Sequence, residues 1–337
     1  MATFNHTSAS PDVFLLTGIP GLEEAHSWLS IPLCAIYIAA ILGNCTILFI
    51  IRTEPSLHQP MYYFLSMLAL TDLGLSASTL PTMLSIFLFS SREVNVDACF
   101  AQLYFIHTFS VMESAVLLVM AFDRLMAIHQ PLRYASILTN ATVARIGLSL
   151  VGRSVFMVMP TSVLLRRLRY CLPNILSHSF CLHQDVMKLA CSDRRINSIY
   201  GLFVVITTMG LDALLIVLSY IMIIVTVLSI ASKEERLKAL NTCVSHICAV
   251  LTFYIPMIGI SMLHRFQEHA SPLIPVLMAD VYVLVPPVMN PIVYSVKTQQ
   301  IRRRIVRRFQ GKMIPHKSRL RGLVPMGPAP VSSFIPA

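Results

Sequence analysis

The sequence predicts an all-α membrane protein, a seven-transmembrane helix bundle with a short amphipathic inner helix. Three observations predict it. Of 337 residues, 55% are hydrophobic and only 12% charged, about half the charge of an ordinary soluble domain. The mean hydropathy is +0.70. Apolar stretches of the ~20 residues needed to cross a bilayer as a helix recur along the whole chain. This composition excludes disorder, a collagen-like fibre and a soluble enzyme of ordinary design.

Residues 1–27 are polar and carry no cleavable signal pattern. Asn5-His6-Thr7 is a glycosylation sequon, usable only where this end faces outward. The first span, near Trp28–Ile51, has no charged side chain and acts as its own targeting signal. Six more follow, near Pro60–Phe89, Phe100–Phe122, Ile146–Leu165, Ile199–Ala231, Leu240–Leu263 and Pro272–Val296. The charged run Lys233–Lys238 separates the fifth from the sixth. The bundle thus occupies 28–296. Residues 297–310 form an amphipathic helix on the inner membrane face, with Ile301, Ile305, Val306 and Phe309 on one side and arginines on the other. Residues 311–337 are a Pro-rich, disordered cytoplasmic tail.

The net charge of +10 sits in that tail. Ten of the 26 Lys and Arg lie in Lys297–Arg321, and the remaining 16 balance the 16 acidic residues. A juxtamembrane basic cluster marks the cytoplasmic side and attracts anionic lipid, so nucleic-acid binding is the poorer reading. An odd number of spans then puts the N-terminus outside. The loop after the fourth span (Arg166, Arg167, Arg169, Lys188, Arg194, Arg195) is also basic and lies outside in this topology, against the charge rule. The tail and the Asn5 sequon outweigh it. No repeated half is visible, which disfavours the inverted-repeat transporter plan.

The eight cysteines lack metal spacing. Cys34, Cys45, Cys243 and Cys248 sit in apolar stretches and read as core. Cys99, Cys171, Cys181 and Cys191 fall in more polar segments, an even set that suggests disulfides of open connectivity.

Four ordered motifs bring a resemblance. Met120-Ala121-Phe122-Asp123-Arg124-Leu125-Met126-Ala127-Ile128 with Pro131-Leu132-Arg133-Tyr134 resembles the third-span signature of olfactory receptors, within the rhodopsin-like G-protein-coupled receptors. Pro60-Met61-Tyr62-Tyr63-Phe64-Leu65 with Leu70-Thr71-Asp72-Leu73 resembles the second span of that family. Lys238–His246 resembles its sixth and Pro287–Tyr294 its seventh. Gly18–Leu22, His178–Cys181 and Leu263–Phe266 are similar to the class I, fish-like branch. Leu125 and His129 depart from the usual Tyr and Cys, which bears on basal activity.

The resemblance implies a cell-membrane odorant receptor that activates a stimulatory G protein and raises cyclic AMP. The rival from the residues alone is a transporter or channel using the intramembrane acids, and an intramembrane enzyme ranks below it. Arg124 beside Asp123 reads either as an arginine snorkelling to the interface or as the activation switch, with Tyr220 and Tyr294 as its active-state partners. Asp72 and Glu113 are two deep carboxylates that need a shared cation or a proton. The family pattern places both beside Asn290, which resembles a sodium site. It also implies Cys99–Cys181 and Cys171–Cys191 bridges, which pin the long outer loop as a lid. His178 and His183 flank Cys181 without diagnostic metal spacing. Asp280 is assigned to interhelical bonding, whereas Asp212 and Arg153 have no assignment.

For the ligand, Arg265 and Ser261 share one helix face near the outer end of the sixth span. His107 lies eight residues inward of Cys99, about 12 Å of helix rise, at a similar depth. Ile258 and Met262, with Phe105, Ile106, Met112 and Leu273, are candidates for an apolar lining. A guanidinium in an apolar cavity suits a planar anion. The expected ligand is therefore a small amphiphile headed by a carboxylic acid, a class the resemblance also implies. Pairing of Arg265 with Glu268 at the surface is the competing reading.

Overall fold

The computed structural model describes residues 11–171, 173–266, 273–298, 301–304 and 306, without the side chains at 238, 242, 264–266 and 297. In chain order it comprises β1 (Val13–Leu16), α1 (His26–Thr53), α2 (Pro60–Phe87), β2 (Glu93–Asn95), α3 (Val96–His129) and α4 (Pro131–Ile137). There follow α5 (Asn140–Arg166), β3 (Ile175–Leu176), α6 (His183–Lys188), α7 (Arg195–Val205), α8 (Leu211–Ser229), α9 (Lys233–Phe266) and α10 (Leu273–Lys297). A π-helical turn, Ile206–Gly210, joins α7 to α8 into a single span. Seven spans result, with best-window mean hydropathies from 1.2 to 2.6, enough for each to cross a bilayer.

Local chemistry sets the boundaries. Pro60 opens α2, where its missing N–H costs nothing. The Asn95 side chain accepts from Asp97 N–H to start α3, and Thr139 accepts from Thr142 N–H to start α5. Ile230 turns extended and ends α8. The third span is longer than its apolar stretch, because it carries Asp123 and Arg124 inward as buried residues rather than stopping before them.

Packing places α3 at the centre, where the share of buried residues in its window, 61%, exceeds that of any other span. Close approach to α2 is set by Gly74, where a Cβ would overlap the Phe109 ring. The spans α5 and α7–α8 are the least buried, as helices facing lipid should be.

The N-terminal segment is not merely polar, and the fold is not wholly helical. β1 pairs antiparallel with β2 and parallel with β3 to cap one end of the bundle. The Val13–Leu16 alternation buries Phe14 and Leu16, and the Phe14 ring meets Phe100 and Tyr170 edge-on. Two disulfides, Cys99–Cys181 and Cys171–Cys191, close the same end, as the resemblance implied. Cys34, Cys45, Cys243 and Cys248 are free; contrary to the core reading, Cys45 is exposed, because it lies on the outward face of α1. Part of the unexpected basic charge is paired here, since Arg166 meets Asp97 at 2.9 Å and lies over the Phe100 ring.

At the other end, residues 301–304 and 306 are helical. Ile301 is buried, and Arg304 reaches Glu54 at 3.0 Å and Ser56 at 3.3 Å. The rest of the expected amphipathic helix, the 311–337 tail and Asn5 lie outside the described residues.

Candidate functional site: a cavity under the disulfide lid

A cavity of about 810 Å³ opens between α3, α5, α6, the α7 span and α9, with Tyr282 of α10 on one wall. That volume lies in the range of drug-sized ligand sites. Most of the wall is apolar, from residues such as Val158, Leu202, Val205, Met209, Met257 and Ile260. The polar residues His107, His183, Gln184, Ser261, Lys188 and Arg194 also line it.

The loop between α5 and α7 forms part of this cavity rather than lying over it. Cys181 is tied to α3 by its disulfide, and its N–H donates to Gln102 Oε1 at 2.9 Å. The Asp185 carboxylate accepts from Ser177 N–H at 2.6 Å and meets His178 Nδ1 at 2.9 Å. Burial by itself raises that carboxyl, but the His178 hydrogen bond and charge, the Ser177 N–H and Lys188 outweigh it and leave Asp185 below the usual carboxylate range. Its anchoring is complete above that range and is lost as pH falls through the lowered value. Two residues earlier, burial pushes the His183 imidazole down to about 4, so it is neutral.

The expected ligand residues divide. His107, Ser261 and Met262 line the cavity. Ile258 does not; it is 48% exposed on the outer face of α9. Helical periodicity explains this, since Met257, Ile260 and Ser261 turn inward at the i, i+3, i+4 spacing and Ile258 lies a third of a turn away. Phe105 also faces outward, while Ile106, Met112 and Leu273 pack in the core beside the cavity rather than along its wall. The Ser261 hydroxyl donates back to Met257 O at 2.9 Å, leaving its lone pairs, not its proton, for a ligand. Arg265 stands one turn further along α9, with its side chain outside the described residues.

Beneath the cavity runs a polar chain that the sequence did not reveal. Arg153 Nη2 and Asp212 Oδ1 form an ion pair at 2.9 Å, joining α5 to α8. The same guanidinium donates to Thr207 O and Thr208 O, carbonyls of the π-helical turn. Asp212 Oδ2 accepts from Ser114 at 3.0 Å, and Ser114 lies 2.8 Å from the Tyr254 hydroxyl. Four spans are thus linked by α5–α8–α3–α9 contacts just below Thr208 and Met257 of the cavity wall. Pro256, two residues past Tyr254, interrupts the α9 ladder there and is a recognised cause of helix bending.

Towards the opposite end, Asn290 Nδ2 donates to both Asp72 oxygens at 3.1 and 3.2 Å and to Glu113 at 3.4 Å. The three expected residues therefore meet, and Glu113 Oε2 and Asn290 Oδ1 have no partner among the described residues. Asp280 instead meets the loop, accepting from Ser179 at 3.3 Å rather than joining two helices.

Asp123 takes its hydrogen bond from Tyr134 of α4 at 2.7 Å. Among the described residues no ion pair of 4.0 Å or less links it to Arg124, the next residue along α3. Tyr220 is held by His246 Nδ1 at 2.7 Å, and His246 Nε2 meets Leu117 O at 2.9 Å. This strap joins α8, α9 and α3. The Tyr294 hydroxyl has no partner among the described residues.

Residues 33–312 match the family model for olfactory receptors. The chain belongs to the olfactory receptor family. The receptor is 62% identical to olfactory receptor 51A7 of Homo sapiens over 306 residues, covering 91% of this chain and 97% of that protein. It is 63% identical to olfactory receptor 51G2 of Homo sapiens over 305 residues, 90% and 97% of the two chains. Squid rhodopsin shares its fold, with a TM-score of 0.68 at 18% identity over 88% of this chain and 83% of that one. The receptor is therefore a seven-span G-protein-coupled receptor, with a small-molecule ligand and a G protein as partners, and not an enzyme. Membership also sets aside the transporter or channel reading.

Proposed function

We propose that the receptor detects an amphiphile headed by a carboxylic acid and answers through a stimulatory G protein that raises cyclic AMP. The disulfide end faces the exterior at the plasma membrane, with the N-terminus and a glycosylated Asn5 outside. The Arg124 end and the basic tail face the cytosol, where the tail meets anionic lipid. The observation that carries this reading is the largely apolar cavity whose α9 wall runs from Met257 through Ser261 towards Arg265. A guanidinium one turn beyond that wall grips the acid head with paired hydrogen bonds, while the apolar wall takes the chain.

The ligand shifts the equilibrium only by binding one arrangement of α9 better than the other. Contact at Thr208 and Met257 favours a repacked Ser114–Tyr254 link, α9 turns about Pro256, and the His246–Tyr220 strap opens. Tyr220 and Tyr294 are then released towards Arg124, which takes up the G protein. The Asp72, Glu113 and Asn290 oxygens fit a sodium ion, since two buried carboxylates with spare acceptor atoms call for a cation or a proton. Bound there, the ion supplies positive charge that holds α2, α3 and α10 together in the resting arrangement.

Arg265→Ala tests the anchor. Truncating one partner of a charged pair in a site costs ~2 kcal/mol or more, roughly 30-fold in potency. Acid-evoked cyclic AMP is expected to fall by at least that factor with surface expression retained. Acid potency that is unchanged in this variant removes the anchor.

A further inference from the structure

The cavity is not walled on every side. Val158 and Thr161 of α5, Val111 of α3 and Tyr282 of α10 line it and are buried. Val205 and Ile206 on the α7 span and Met262 on α9 also line it, yet they are 40%, 56% and 53% exposed. The same cavity leaves Val111 and Val158 buried, so the exposure of these three comes from outside. They mark an opening between the α7 span and α9. All three lie within the membrane-crossing segments Arg195–Ser229 and Lys233–Leu263. The medium outside them is therefore acyl chain rather than water.

The polar ties of the α7 span explain the gap. Asn197 Nδ2 donates to Leu164 O at 3.3 Å and the Tyr200 hydroxyl to Met157 O at 3.1 Å, both on α5. Arg153 of α5 takes the Thr207 and Thr208 carbonyls. Among the described residues, the direct hydrogen bond from this span to α9 is Tyr220–His246. Tyr220 is fourteen residues beyond Ile206, about 20 Å of helix rise. The upper half of the span is thus drawn to α5 and leaves α9 apart.

The slit also changes character along its length. Lys188 and Arg194 stand at its top, both exposed and both lining the cavity. Lys188 lies 3.9 Å from Asp185 Oδ1, with its side chain still 59% exposed. From Arg194 to Ile206 is twelve residues, about 18 Å of rise. Half of a hydrocarbon core is about 15 Å. Cations at headgroup level above an apolar gap one leaflet deep match the profile of a carboxylic acid lying in that leaflet.

We propose that this slit is a lateral entrance, through which a long-chain carboxylic acid dissolved in the outer leaflet reaches the cavity. Its carboxylate is held at Lys188 and Arg194 and its chain lies between the α7 span and α9. The inference rests on the acid reading and the outward disulfide end proposed above. It adds a physical class to the ligand, because each methylene strengthens partition into the leaflet beside the slit. It also gives two of the basic residues that run against the charge rule a task at the outer face.

Photolabelling of the full chain in phosphatidylcholine vesicles tests it. The probes are a long-chain saturated acid with a diazirine near the end of its chain, and the methyl ester of the same molecule. Adducts are mapped by mass spectrometry and normalised to those on Ile38 and Leu42, exposed residues of α1. The acid is expected to label Val205, Ile206 and Met262 at least about fivefold more than the ester does, since a basic side chain near the surface draws an anionic lipid by about that factor. Lys188→Glu with Arg194→Glu should bring the ratio close to one. The wild-type ratio decides alone should that double variant fail to fold. Equal slit labelling by acid and ester, with the acid still enriched at Met209 and Met257 inside the cavity, overturns the entrance and leaves the acid reading standing. Enrichment of the acid at neither place defeats the acid reading, and this inference with it.

Discussion

Asp212→Ala is expected to bring surface expression of the receptor close to background. The Arg153 guanidinium would keep its contacts to Thr207 and Thr208 carbonyls but lose its carboxylate, with both groups inside the span region. Breaking a buried ion pair by removing one partner costs ~3–5 kcal/mol, because the other charge is left uncompensated. Whole-protein stabilities are only ~5–15 kcal/mol. Arg153→Ala should be milder, because a stranded carboxyl can be neutralised by a proton and Asp212 keeps Ser114, whereas a stranded guanidinium keeps its charge. The double variant Arg153→Met with Asp212→Leu removes both charges and should recover expression relative to Asp212→Ala, as apolar replacement of buried pairs does. It should still respond weakly to ligand, since Ser114 loses its acceptor and the link to Tyr254 changes. Flow cytometry of surface receptor and cyclic AMP per receptor separate the two effects. Full expression of Asp212→Ala would show that the pair does not hold α5 against α8.

Cys181→Ser is the second large effect. The Cys99–Cys181 bridge closes a chain separation of 82 residues. In the chain-entropy account, a loop of that length is stabilised by ~4.5 kcal/mol. The local consequence is as large as the global one. Leu182, His183 and Gln184 follow Cys181 directly and line the cavity, so releasing the bridge frees one wall of the ligand site. The Cys181 N–H bond to Gln102 Oε1 and the His183 ring contact with His107 are weaker ties of the loop to α3. Ligand-evoked cyclic AMP should be abolished, with a lower thermal midpoint of the solubilised receptor. Cys191→Ser should cost less, because its bridge closes a separation of 20 residues at the exposed end of the loop. Equal losses for the two substitutions would contradict this ordering.

The seven spans were legible because bilayer thickness imposes a length and composition that few other structures share. Their ends were less so. Asp123 and Arg124 look like the close of an apolar run, yet Tyr134 neutralises the need for solvent at Asp123 and lets α3 continue to His129. The Phe14 and Leu16 strand was hidden because four residues of alternation, Val13–Leu16, are a weak signal inside a polar segment. His107 and Ser261 could be placed by helix rise along their own spans. His183, Gln184 and Gly201 could not, because a loop tethered by a disulfide reaches the cavity by a path that no periodicity encodes. The i, i+3, i+4 pattern Met257, Ile260, Ser261 could have replaced Ile258 as lining, had the inward face been set by Ser261 alone. Arg153 and Asp212 each looked unexplained singly. Their partnership depends on the register of α5 against α8 and on carbonyls opened by the π-helical turn, both tertiary facts.

A ligand seated in the cavity between α3, α6, the α7 span and α9 lies against Gly201, so Gly201→Phe should crowd it. Gly201 lines the cavity, and a Cβ there would already stand 3.3 Å from His183 Cε1, so a phenyl ring extends into the ligand volume. Overpacking of that kind costs ~1–3 kcal/mol, about 5- to 150-fold in potency. With surface expression matched to wild type, the concentration of acid giving half-maximal cyclic AMP is predicted to rise by that factor. A half-maximal concentration equal to the wild-type value would place the ligand outside this cavity.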